Sequence, residues 1–112
     1  MSDSAYPTGT IVLIKFPFAE ASSHKIRPAI VVNTDLPQSL LVLYITSNTD
    51  IHSSYDVQLE PSTTNNLQKT STARTNRLTV ASVEDIVRQL GQLDEVEHRQ
   101  IKKALQTVVQ DF

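Results

Sequence analysis

Hydrophobic residues in this chain come in short blocks, and their spacing changes once. Thr10-Ile11-Val12-Leu13-Ile14-Lys15-Phe16 is strongly apolar, follows a turn at Gly9 and is stopped by Pro17. Ala29-Ile30-Val31-Val32 is a second block, entered through Lys25-Ile26-Arg27-Pro28. Short runs this rich in β-branched residues read as buried strands. Pro28 fixes its own φ and biases Arg27 toward extended geometry, so the proline is expected at the first residue of its strand, with Arg27 held at the mouth. Leu40-Leu41-Val42-Leu43-Tyr44-Ile45-Thr46 is apolar on both faces as far as Ile45, which predicts a position in the middle of a sheet or barrel wall. Tyr55-Asp56-Val57-Gln58-Leu59 alternates as a half-exposed strand does. Leu67 to Arg77 is polar but tolerant of extended backbone, and Leu78-Thr79-Val80 completes a short strand. Turn-forming clusters separate the blocks, notably Asn33 to Ser39 and Glu60 to Asn66.

Beyond Val80 the period shifts. Ser82-Val83-Glu84-Asp85 resembles a capping box, and Ile86, Val87 and Leu90 predict one face of a short helix ended by Gly91 in a left-handed cap. A second helix is predicted from Asp94, with Glu97 three residues on; Ile101, Ala104, Leu105, Val108 and Phe112 form the face it packs on the sheet. The pattern predicts a single domain over residues 1–112 that is mainly β with C-terminal helices. Residues 1–8 are expected to be loosely ordered, 9–80 to form a small barrel or sandwich of five or six strands, and 82–112 to carry the helices.

Composition narrows the function. A chain of 112 residues buries enough surface to hold a core without staples. Cysteine is absent, so disulfides, thiolate zinc sites and cysteine nucleophiles drop out, and a reducing cytoplasm is the expected setting. Met1 to Tyr6 lacks the basic and apolar regions of a secretion signal, and the apolar runs are far too short to span a bilayer, so no membrane role is expected. A formal net charge of −2 argues against coating nucleic acid by bulk charge, but the charge is polarised. Lys15, Lys25, Arg27, Lys69, Arg74 and Arg77 precede Val80, while the tail is the more acidic part.

His24, His52 and His98 match no metal-ligand spacing, and with Gly9 and Gly91 the only glycines there is no P-loop, dinucleotide or nucleophile-elbow motif. What remains is a convergence of polar groups at strand ends. A hairpin through Asn33 to Ser39 would set Arg27, at the start of one strand, beside Thr46 and Ser47 at the end of the next. With Lys69 and Arg74 nearby, a cation and hydroxyls there would make a pocket for a phosphodiester without a metal or other cofactor. The plain alternative is a hydrogen-bonded strand end with a few surface cations.

With these residues in hand, the chain resembles the MazF/PemK family, the toxins of type II toxin-antitoxin modules. The resemblance runs from Gly9 to about Leu105. It rests on Gly9 to Phe16 followed by a polar loop, on Lys25 to Val32, on Ile45-Thr46-Ser47, on Leu67-x-Lys69-x-Ser71-x-Ala73-Arg74-x-Asn76-x-Leu78, and on Leu90-Gly91-Gln92-Leu93. It implies an SH3-like barrel with C-terminal helices and a homodimer with an RNA groove across its interface. It also implies a sequence-selective, metal-independent endoribonuclease: the ribose 2′-OH of single-stranded RNA attacks the adjacent phosphate, leaving a 2′,3′-cyclic phosphate and a 5′-OH. Arg27 and Thr46 take the family's catalytic positions, with Ser47 beside them; His24, Lys25, Lys69, Ser71 and Arg74 fall where RNA would be held. An arginine, with a pKa above about 12, is a poor base, so Arg27 is assigned to stabilising charge on the phosphorane-like transition state. Thr46 would bond a phosphate oxygen or orient the 2′-OH. The expected protein partner is an antitoxin whose disordered, acidic C-terminal segment occupies the groove.

One departure matters. Some family members carry an acidic residue, proposed as the base, where this chain has Ser71. The proton acceptor is therefore unassigned, with Glu20, His24 and His52 as substitutes. Two other readings stay open: a binding module of the CcdB type, which poisons DNA gyrase by contact, and a catalytically silent relative.

Overall fold

The computed structural model describes residues 6–16, 25–34, 37–50 and 53–112. Six strands form one antiparallel sheet: β1 (Thr10–Phe16), β2 (Lys25–Asn33), β3 (Ser39–Thr46), β4 (Asp56–Leu59), β5 (Ser71–Ser82) and β6 (Ile86–Gln92). A 3₁₀ turn, Val83–Asp85, joins the last two, and one helix, α1 (Glu95–Gln110), closes the chain. The order across the sheet is β4-β5-β3-β2-β1-β6. Among the described residues the sheet does not close on itself, so the expected barrel is here an open sheet with β4 and β6 as its edges.

The strongly apolar blocks become the central strands. β3, apolar on both faces, lies between β5 and β2 as its pattern requires. Its even positions, Leu40 and Val42, are buried with Val12, Ile14, Ala29, Val31 and Ala81 in one cluster, against which Tyr6 and Tyr44 pack. Its odd positions, Leu43 and Ile45, join Ile11, Ile30, Leu59 and Leu67 in a second cluster beneath Ile101 of α1. A chain covered on both sides of its central strands buries consecutive residues, and Ile11, Val12, Ala29, Ile30 and Val31 are all at most 1% exposed. Of the start expected to be loose, residues 1–5 lie outside the described residues; beyond them Thr10 donates to the Pro7 carbonyl and Gly9 to that of Val31. Gly9 has φ +93, a value that favours glycine.

The predicted helix over 82–91 does not form. Ser82 does accept from the Glu84 N–H as a cap should, but the turn it starts lasts three residues. The backbone then extends into β6, which pairs with β1 through Ile14↔Ile86, Leu13↔Arg88 and Thr10↔Gln92. A short segment with β-branched Ile86 and Val87 satisfies more backbone groups on the open edge of β1 than in an isolated two-turn helix. Gly91 therefore sits in a strand, not at a helix cap. The second helix forms as its pattern predicts. Asp94 accepts from the Glu97 N–H and Glu97 Oε1 accepts from the Asp94 N–H, a reciprocal box, while Ile101 and Ala104 are buried. Phe112 lies past the helix end and is fully exposed, so it is no part of the packed face. Two smaller corrections concern the strands. β2 begins at Lys25 rather than Pro28, and of the predicted segment Leu67 to Arg77 only the part from Ser71 on is strand, which merges with Leu78 to Val80 into the single long β5.

Candidate active site

β2 is longer than the partner it shares with β3. β1 pairs with it from Lys25 to Ile30, whereas the β3 ladder starts only at Ala29. Lys25 to Pro28 therefore extend beyond the paired part of β3, an overhang of the ladder rather than of the strand, and Pro28 has no N–H to give. The notch beside this overhang is a cavity of about 500 Å³. Leu13, Pro28, Ile45 and Leu67 contribute apolar lining, and Lys25, Arg27, Lys69 and Arg88 contribute charge. Among the described residues that line it are four cations, in a chain whose net charge is −2. Charges of one sign over apolar walls focus the field, so the cavity attracts polyanions and repels divalent cations. No cluster of three or more potential metal ligands occurs among the described residues.

Five of the sequence-predicted residues meet here: Lys25, Arg27, Ser47, Lys69 and Ser71 all line the cavity. Thr46 does not. Continuing the register two residues past Ala29↔Tyr44 sets Arg27 level with Thr46, as the hairpin argument expects. Alternation, however, turns Thr46 to the face of Val42 and Tyr44, opposite to Ile45 and Ser47. The Thr46 hydroxyl accepts from the Asn48 N–H at 3.1 Å. Arg27 shares the parity of Thr46 yet lines the cavity, on the stretch of β2 that is not paired with β3.

Arg74 has another task. It stands opposite Asp56 across β4 and β5, with Nη1 3.3 Å from Oδ2, and the two side chains are only 16% and 2% exposed. The pair fastens the edge strand β4 to the sheet. His24, together with Glu20 and His52, lies outside the described residues. Arg88 is the functional candidate that the sequence reading missed. Placed on a presumed helix it had no reason to face Arg27; as the β6 partner of Leu13 it enters the cavity.

Asn66, Leu67, Gln68, Lys69 and Ser71 form the wall opposite β2. The base of their loop is closed by Glu60, whose carboxylate accepts from the Thr70 hydroxyl at 2.7 Å and from the Gln58 amide at 2.8 Å. Those two bonds, Thr70 first, hold the Glu60 pKa below its ordinary value. The Ser71 hydroxyl donates to the Lys69 carbonyl at 2.8 Å.

A small antiparallel β-domain with a C-terminal capping helix and a cation-lined notch at its strand ends is the class of protein these features define. The family model for the PemK-like, MazF-like toxins of type II toxin-antitoxin systems matches residues 8–109, and the chain belongs to that family. Among solved structures it is similar to the Mycobacterium tuberculosis toxin MazF-mt6, at 18% identity and a TM-score of 0.72 over 90% of this chain and 96% of the other. MazF from Deinococcus radiodurans superposes at 17% identity and 0.73, covering 96% and 99%. A mycobacterial endoribonuclease in complex with its cognate antitoxin superposes at 14% identity and 0.76, covering 95% and 96%. At these identities the likeness establishes the shared fold. No curated protein matches the sequence.

Proposed function

We propose that this toxin is a metal-independent endoribonuclease that cuts single-stranded RNA in the cytoplasm to 2′,3′-cyclic phosphate and 5′-OH ends. The observation that carries the reading is the convergence of Lys25, Arg27, Lys69 and Arg88 on one cavity that the hydroxyl of Ser47 also lines. A phosphodiester seated there meets planar and point-charge donors, which bind the ground state and stabilise the extra charge of a pentacoordinate phosphorus more strongly. In the step itself the 2′-oxygen bonds to phosphorus, the bond from phosphorus to the 5′-oxygen breaks, and that oxygen takes a proton. Arg27 is the catalytic stabiliser. Ser47 offers a hydroxyl donor to a phosphate oxygen, Lys25, Lys69 and Arg88 hold the flanking backbone, Ser71 braces the Lys69 carbonyl, and Thr46, which accepts from the Asn48 N–H, fixes the turn that presents Ser47. The described lining residues include neither carboxylate nor imidazole. The base that takes the 2′ proton therefore comes from elsewhere, and Glu20, His24 and His52 are its candidates.

Two partners belong to the reading. Exposed apolar side chains at Leu78 and Val80 on β5 and at Val109 on α1 favour association with a second copy. The cation-lined cavity suits an acidic antitoxin segment, and a relative of this fold has been solved with its cognate antitoxin. The test is cleavage of a long single-stranded RNA by the purified toxin in excess EDTA, beside Arg27→Ala. Cuts at a recurring short motif with 2′,3′-cyclic phosphate ends are expected, slowed about 10²- to 10³-fold in the variant. Equal silence of both proteins on varied RNAs would sink the nuclease reading and leave contact with a protein target such as gyrase.

A further inference from the structure

We propose that Asn65 is a positioning residue, which sets the Lys69 cation in the cavity through the turn it closes; the proposal rests on the ribonuclease reading above. Asn65 is fully buried. Its Oδ1 accepts from the Ser62 and Leu67 N–H groups at 2.9 and 3.0 Å. Its Nδ2 donates to the Glu60 carbonyl at 2.8 Å and to Glu97 Oε2 at 2.9 Å. The full donor and acceptor capacity of the amide is thus used, which makes the turn rigid and ties it to the first turn of α1. The same turn is fixed to β6: the Gln92 N–H donates to the Thr64 carbonyl at 3.0 Å, and Asn66 Nδ2 to the Leu90 carbonyl at 2.8 Å.

Lys69 stands four residues beyond this clamp, on a stretch with no strand or helix of its own. Asn66 to Lys69 nevertheless form a continuous wall of the cavity. A stretch without a ladder takes its place from its anchors, here the Asn65 clamp and buried Leu67 on one side and the Thr70 and Ser71 hydroxyl bonds, to Glu60 and to the Lys69 carbonyl, on the other. Asn65 does not line the cavity and carries no charge, so any effect it has on RNA passes through the wall it holds. A lysine presented in place makes its phosphate contact without first losing the freedom of its loop.

The experiment is the salt dependence of binding to a short single-stranded RNA, measured for wild type, Lys69→Ala, Asn65→Ala and the double variant, each checked for folding by circular dichroism. Releasing one phosphate contact lowers the slope of log K against log salt by about 0.7. Lys69→Ala is expected to lose that amount, Asn65→Ala to lose the same although it removes no charge, and the double variant to lose no more. General destabilisation lowers the active fraction but leaves the slope alone. Asn66→Gly keeps the left-handed φ of 57° while removing only the bond to Leu90, and it decides the matter where Asn65→Ala does not fold. A wild-type slope in the folded clamp variants, additive losses in the double variant, or a wild-type slope in Lys69→Ala would each overturn the proposal. Wild-type protein that binds no RNA at all would overturn the ribonuclease reading itself.

Discussion

Gly91→Ala puts the seating of the cavity wall on β6 to a direct test. Gly91 has no left-handed φ, so by backbone conformation alone alanine should stabilise the protein by about 0.4–1 kcal/mol through the unfolded chain. The surroundings predict the opposite sign. A Cβ at this position would lie 2.5 Å from the Asn65 carbonyl oxygen and 2.6 Å from that of Thr64, both backbone atoms. Ordinary contact begins at 3.4 Å, so the turn and β6 must separate by about 0.9 Å. The bond from the Gln92 N–H to the Thr64 carbonyl, 3.0 Å long, does not survive such a shift, and that from Asn66 to Leu90 is stretched past useful length. Two bonds at about 1 kcal/mol each and an overpacking cost of about 1–3 kcal/mol outweigh the entropic gain, for a net loss of about 2–5 kcal/mol. With an unfolding entropy of about 2.1 cal/mol/K per residue, the melting temperature should fall by about 9–20 °C. Thermal unfolding followed by circular dichroism at one fixed protein concentration reads this directly. A melting temperature equal to or above wild type would mean that the turn is not seated on β6, and the steric argument would fail.

Other consequences follow from the same contacts. Asp56→Ala strands the Arg74 guanidinium at a largely buried site and should destabilise the fold by about 3 kcal/mol in a denaturant titration, the low end for a broken buried pair because Arg74 keeps some exposure. Arg88→Ala should leave the melting temperature within about 2 °C of wild type, as exposed substitutions do, and lower the RNA salt slope by about 0.7; an unchanged slope would remove Arg88 from the site. Glu60, whose folded pKa is depressed, contributes stability that is present above its unfolded value near 4.5 and lost as pH falls through the folded value. Thr70→Val removes the larger cause, so the Glu60 titration, followed by NMR, should move up toward 4.5 and the acid limb of the stability curve should flatten; an unmoved titration would contradict the assignment.

The central strands follow from local sequence pattern alone, because runs such as Ile11 to Ile14 and Leu40 to Ile45 are apolar at consecutive positions and are buried only between two covered faces. It determined α1 equally well, since Asp94 and Glu97 cap it locally and Ile101 and Ala104 repeat at helical spacing. The cations of the site were legible as residue types, and Arg27 as a residue held at the entry to a strand. Tertiary structure decided which of them meet. Ile86 to Gln92 is too short for its period to separate helix from strand; the unpaired edge of β1 settled it, and with it the arrival of Arg88 in the cavity. Arg74 reads in sequence like Lys69, but a carboxylate directly across β4 claims it, and cross-strand register is a long-range quantity that no local pattern encodes. Gly91 is needed not to end a helix but because two carbonyls from a turn some 25 residues earlier press against it, a contact that exists only once β6 and that turn have been brought together.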